Sequence, residues 1–219
     1  YGFLSGASMT FSNLSAEALQ EQTAELLAAN RYPKQGNCVT LRVYPAAGNK
    51  QPDYILECTG QLYYPQYTVW HKRLMLSVMP CEYLLMGYPT AVSRQVARYS
   101  RTVAERSGCE RAVIENVDGV LTNVEDEPLL LVHEQQVFTS PLSEGATDSV
   151  MRRLILQACL REKVECHETP LTRDMLSACD EAFTASPQGL ISFEGYEQAR
   201  YFNLMAGRLA PVLNTLEMP

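Results

Sequence analysis

Apolar positions along this chain switch between two periods, and each switch marks an element. Over residues 15–30, Leu19, Thr23, Leu26 and Leu27 recur close to helical spacing. The pattern predicts a helix with one buried face, entered through Ser15 as N-cap and an acidic first turn. Residues 37–44 (Asn-Cys-Val-Thr-Leu-Arg-Val-Tyr) alternate like a half-exposed strand, 53–60 read as another, and 70–79 as a third that Pro80 closes. The run Leu84-Leu85-Met86-Gly87-Tyr88-Pro89 breaks the pattern and predicts a connection between lobes. Helical spacing resumes over 90–106, with Val92, Val96, Tyr99 and Val103 on one side. A strand (111–115), the turn Asn116-Val117-Asp118-Gly119, a second strand pair, a turn-to-helix junction from Gly145 and a last helix over 200–216 follow. The expected layout is mixed α/β (α+β) in two lobes: residues 1–84 a smaller N-terminal lobe, 85–89 the connection, and 90–219 a larger C-terminal lobe.

Composition narrows the function classes. A chain of 219 residues with 46% hydrophobic and 20% charged residues can bury a substantial core. A net charge of −7 argues against a nucleic-acid partner, because neutralising phosphates requires a basic face. The seven cysteines are scattered without a Cys-x-x-Cys pair, which suits core-filling thiols in a reducing cytoplasm better than disulfides or a metal site. His71, His133 and His167 lack a paired ligand spacing, so no metal is expected. No apolar run approaches a membrane span. Cys166 and His167 are adjacent and, on a strand, point to opposite faces, which makes them a poor nucleophile–base pair.

Four motifs stand in a specific order: Thr90-Ala91-Val92-Ser93-Arg94 at a helix start, Asp118-Gly119-Val120-Leu121-Thr122 at a turn into a strand, Gly145-Ala146-Thr147 at a turn before a helix, and Asp180-Glu181-Ala182-Phe183-Thr184-Ala185-Ser186. That order resembles the class IV aminotransferases, the fold-type IV pyridoxal-phosphate (PLP) enzymes. The group includes branched-chain and D-amino-acid aminotransferases and aminodeoxychorismate lyase. The resemblance implies a D-amino-acid aminotransferase-like fold, PLP as cofactor, a small anionic or amino-acid ligand, and a homodimer. It also implies a first lobe that is incomplete as read, because the family's His-x-x-Arg-Leu motif is missing and the first arginine is Arg31.

The same resemblance assigns site positions. Thr90 takes the place of the lysine that forms the Schiff base, Ser93 that of an asparagine, and Arg94 that of the arginine in the lyase version. Asn123 takes the place of the glutamate that tunes the ring nitrogen. Gly145, Ala146 and Thr147 match one phosphate-binding turn, with Asp148 where the family has arginine; Thr184 and Ser186 match the second. A threonine cannot form an imine, and an asparagine cannot hold a proton on a pyridine nitrogen. The resemblance therefore implies transaminase or lyase ancestry with lysine-dependent PLP catalysis lost. The alternatives are a binding or regulatory pseudoenzyme, or an active enzyme that uses another lysine, of which Lys72 is nearest in sequence. Glu125-Asp126-Glu127 read as a solvated acidic turn, and Asp148 as a helix cap. Arg42, Arg94 and Arg98 are positioned as carboxylate-binding groups or surface ion pairs.

Overall fold

A computed structural model describes residues 3–4, 7–8, 15–32, 37–44, 53–61, 66–71, 73–83, 86–88 and 90–216. The chain divides into two compact units, Tyr1–Pro65 and Gln66–Pro219.

In the first unit, short strands β1 (Phe3–Leu4) and β2 (Ala7–Ser8) pair antiparallel. Helix α1 (Ala16–Ala29) starts where the pattern placed it: the Ser15 hydroxyl accepts from the Ala18 N–H at 3.1 Å. Its apolar stripe buries Leu27, while Leu19, Thr23 and Tyr32 line a groove of about 520 Å³. Strands β3 (Asn37–Tyr44) and β4 (Asp53–Gln61) form an antiparallel pair. The Tyr54 hydroxyl donates to Gln22 at 2.9 Å and ties β4 to α1. Arg42 pairs with Glu57 at 2.6 Å on the exposed side, a contact worth only about 0.2–1 kcal/mol.

The second unit is built on one 11-stranded sheet. Its strands are β5 (Thr68–His71), β6 (Met75–Pro80), β7 (Arg111–Glu115), β8 (Leu121–Val124), β9 (Glu127–His133), β10 (Gln136–Thr139), β11 (Cys166–Glu168), β12 (Glu181–Ser186), β13 (Gly189–Ser192), β14 (Gly195–Tyr196) and β15 (Ala199–Arg200). The order runs β15-β14-β6-β7-β8-β9-β12-β13-β5, and β10 leaves β9 to pair with β11. The single strand expected over 70–79 is therefore two strands, and both belong to this sheet and not to a lobe ending at residue 84. Flat, β5 and β6 would stand six spacings apart, about 29 Å. His71 and Met75 are close enough in sequence to be separated by at most ~14 Å. The sheet must therefore curl until β5 and β6 approach.

Helices cover the sheet. Helix α2 (Ala91–Arg106) lies on β6 and β7, and buries Ser93, Ala97, Ser100 and Ala104. The expected face of Val92, Val96, Tyr99 and Val103 is not the buried one, since Val92 and Tyr99 are exposed. Small side chains at the contact let the helix sit close to Ala112 and Ile114, and the bulky ones are turned to the edges. Helices α3 (Val150–Arg161) and α5 (Leu204–Leu213) bury Leu154, Ile155, Met205 and Leu209 against Phe183 and Leu130. The last helix is thus shorter than the 200–216 expected. The buried Glu181 carboxylate accepts from the Met205 N–H at 2.8 and 2.9 Å and caps α5 from across the fold. Helix α4 (Arg173–Ala178) starts at Thr172, whose hydroxyl accepts from Met175 N–H.

Candidate functional site

Thr90 ends the connection and begins α2. Its hydroxyl accepts from the Ser93 N–H at 3.1 Å, and the Ser93 hydroxyl accepts from the Thr90 N–H at 2.8 Å. This is a reciprocal capping box, which satisfies two amides that an α-helix start leaves orphaned. Thr90 therefore serves as a helix cap. The connection reaches the candidate site one turn earlier: a Cβ on Gly87, which has φ +91°, would meet Ala146 O at 3.1 Å. Only glycine combines that backbone with so close an approach.

The Gly145-Ala146-Thr147 turn does not open a helix. Gly145 closes a short 3-10 turn (Leu142–Glu144) in the left-handed region, with its N–H on Leu142 O at 3.1 Å. Helix α3 begins only at Val150, capped by Ser149, whose hydroxyl accepts from the Arg152 N–H at 3.1 Å. Asp148 is not the cap. Its carboxylate takes two hydrogen bonds from Arg153, and this pairing holds its pKa below the usual carboxylate value.

Asn123 lies fully buried on β8, facing this turn. Its Oδ1 accepts from the Thr147 N–H at 3.0 Å; its Nδ2 donates to Gly145 O at 3.4 Å and to the Thr122 hydroxyl at 3.3 Å. The Asp148 N–H is taken by Gly87 O at 3.2 Å. The amides of Gly145, Thr147 and Asp148 all donate within the protein. The structure thus brings Asn123, Gly145, Ala146, Thr147 and the end of the connection together.

Thr184 and Ser186 lie apart from that group on β12. Strand β9 runs between β8 and β12, a separation of about 10 Å between the outer two. The Thr184 hydroxyl donates to Pro128 O at 2.7 Å. The Ser186 hydroxyl accepts from the Gln188 N–H at 3.1 Å and donates to Gly189 O at 3.3 Å. Both hydroxyls are buried and committed to the sheet and its turn.

The acidic turn after β8 departs from its expected solvation. Glu125, with φ +59°, is buried, and its carboxylate receives Arg111 at 2.7 Å and Arg101 at 2.6 Å. Arg111 also reaches Glu127 at 2.9 Å, while Asp126 alone of the three acids is exposed. Burial pushes the Glu127 carboxyl up to about 7, against the opposing pull of Arg111. Arg101, Arg111 and Glu127 border a cleft of about 380 Å³ with Trp70 and Gln188. Arg111 at the head of the apolar run Ala112-Val113-Ile114 is the available signal that a buried acid needs a partner.

The sequence model of the amino-transferase class IV family matches residues 6–191. The chain belongs to the class IV amino-transferases. No curated protein matches it. Solved structures share its fold: a putative 4-amino-4-deoxychorismate lyase from Legionella pneumophila subsp. pneumophila str. Philadelphia 1 superposes with a TM-score of 0.75 at 15% identity, over 94% of this chain and 79% of that one. A branched-chain amino acid aminotransferase from Escherichia coli gives 0.71 at 16% identity, over 92% of this chain and 70% of that one. The PLP form of the branched-chain enzyme from Thermobaculum terrenum gives 0.74 at 13%, over 94% and 71%.

Class IV amino-transferases use PLP, which needs an amine to bond, a partner for its ring nitrogen and free donors for its phosphate. The described residues do not fit it. Thr90 offers a hydroxyl already in a capping box, and Asn123 spends its carboxamide on the turn. The Thr147 N–H is occupied, and anionic Asp148 stands beside it. Lys34, Lys50 and Lys72 lie outside the described residues, and Lys163 is exposed beyond the end of α3. Among the described residues there is no cluster of three or more His, Cys, Asp or Glu able to hold a metal, and no helix is long and apolar enough to cross a membrane.

Proposed function

We propose that this class IV chain has given up lysine-linked PLP chemistry and acts as a non-catalytic binding or regulatory relative, as a cytoplasmic homodimer. One observation carries the reading: the Asn123 carboxamide bonds in both senses to the 145–147 turn, so the groups that would receive a cofactor complete each other instead. A donor and an acceptor on one side chain match a backbone turn that presents one N–H and one C=O. A glutamate there would match only the N–H. The capping box at Thr90 supports the same reading, since that position has a structural task that an amine could not perform.

The test is the visible absorption spectrum with added PLP, before and after borohydride reduction, followed by peptide mapping. The expected result is the spectrum of free PLP, with no reduced adduct on any lysine. A shifted band fixed by reduction to a lysine peptide, Lys72 above all, together with a transaminase activity lost in Lys72→Ala, would establish an active enzyme and end this reading. Sedimentation analysis tests the dimer separately.

A further inference from the structure

The last turn of α3 leads through residues 162–165 into the edge strand β11, and backbone hydrogen bonds fix that path. The Val164 N–H donates to Cys159 O at 2.9 Å, and the Val137 N–H to Glu165 O at 2.9 Å, which lays β11 along β10. Alternation on β11 turns Cys166 and Glu168 toward α3 and His167 away. Glu168 accordingly accepts from Arg152 of α3 at 2.6 Å, while His167 stacks on Phe138 with ring centroids 5.1 Å apart. Cys166 packs on the apolar cluster that contains Cys159, and the two thiols interact there. Both thiols are free; Cys159 is buried and Cys166 is partly open to solvent.

The pair is chemically asymmetric. The hydrogen bond from Cys159 lowers the Cys166 pKa and outweighs burial, with Arg152 helping and Glu168 opposing. The Cys159 thiol is pushed strongly up, because losing its proton forfeits that bond and leaves a buried charge; Arg208 of α5 offsets this only in part. Other described thiols lack this arrangement. Cys109 donates to Leu76 O at 3.5 Å and Cys179 to Leu176 O at 3.3 Å. Burial raises Cys81 and Cys109, and pushes Cys179 up to about 12.

We propose that Cys159 and Cys166 form an oxidative modification site, which a hydroperoxide converts into an intramolecular disulfide. The Cys166 thiolate attacks one peroxide oxygen and the O–O bond breaks. The displaced hydroxide takes a proton and leaves as water, with Cys166 as the sulfenic acid. The Cys159 sulfur then gives up its proton and attacks the Cys166 sulfur; the S–O bond breaks and a second water leaves. Two thiols lose two electrons, and with hydrogen peroxide one peroxide becomes two waters. The product staples the end of α3 to the edge of the sheet. It does not depend on the fate of the PLP site.

Titrating the intact chain with hydrogen peroxide and digesting it with trypsin without reductant tests the proposal. The expected product is a cross-linked pair of peptides carrying Cys159 and Cys166, formed before other cysteines lose reactivity to iodoacetamide and reversed by dithiothreitol. Its Tm shifts upward by a few degrees, since the cross-link restricts the unfolded chain. Cys159→Ser lets dimedone trap a sulfenic acid at Cys166. In the wild type, which avoids any folding defect of the variant, iodoacetamide labels Cys166 at lower pH than Cys81, Cys109 or Cys179. Oxidation that begins at Cys81 or Cys109, or Cys166 advancing to sulfinic acid without linking to Cys159, overturns the proposal.

Discussion

At Asn123, strand β8 buries a neutral carboxamide; just past its end, at Glu125, the same hairpin buries a carboxylate between two arginines. The partners explain the difference. Asn123 meets a backbone turn, which offers one donor and one acceptor, and a neutral amide satisfies both. Glu125 meets guanidinium groups, which offer only donors and positive charge, so an anion is stabilised there. The neutral amide thus sits where the turn offers both bonding senses, while carboxylates stand further along the hairpin, where cations compensate them. The comparison teaches that charge at each end follows its nearest partners.

The largest effect is expected from removing the cation at the charged end. Arg111→Met leaves Glu125 with only the half-exposed Arg101 and leaves Glu127 with none of the Arg111 pairing. Breaking a buried pair from one side costs about 3–5 kcal/mol, read from urea denaturation. A loss under about 1 kcal/mol would show that Arg101 alone suffices, and the comparison would fail.

A smaller effect is expected from pH. Glu127 has its carboxyl raised from 4.5 to about 7, mainly by burial. The folded state then holds a proton that the unfolded state releases, so this group stabilises the fold below about pH 4.5. Its contribution is lost as pH rises to about 7, and is flat above. Over that window the wild type should lose on the order of 2–3 kcal/mol relative to Glu127→Gln. Parallel stability curves for the two proteins across that range would refute the assignment. Glu115 and Asp148, lowered by Arg173 and Arg153, act in the opposite sense and at lower pH, so the difference between proteins isolates Glu127.

What could be read from sequence follows the range of the interactions. Ser15 marks a helix start because a cap acts over three residues, and it caps as placed; Thr90, expected only at the start of a helix, proves to cap it. The opposite orientations of Cys166 and His167 follow from local alternation. The order of motifs between residues 108 and 193 was sufficient for the family. Bulk in the sequence groups Val92, Val96, Tyr99 and Val103 on one side of α2, whereas close packing on β7 selects Ser93, Ala97, Ser100 and Ala104. The acidic turn reads as solvated in sequence because the partners of Glu125 lie 24 and 14 residues away. The occupation of the Thr147 N–H, from Asn123, likewise spans the fold and leaves no local trace.

The neutral end gives the smallest and sharpest test. Asn123→Ala removes the acceptor for the Thr147 N–H and the donor to Gly145 O, and leaves buried polar groups unpaired for a loss of about 1–2 kcal/mol. Asn123→Asp separates hydrogen bonding from charge. A protonated Asp side chain keeps the shape and can still accept from one group and donate to the other. An ionised one keeps the acceptor but presents a charge to Gly145 O, with Asp148 already anionic nearby. The Asp variant should therefore approach wild-type stability in acid and fall below it as pH rises through its carboxyl pKa. Burial should set that pKa above the usual range. An Asp variant as stable as wild type at neutral pH would mean that a cation or ordered donor reaches position 123, and that the site retains the means to hold a charge there.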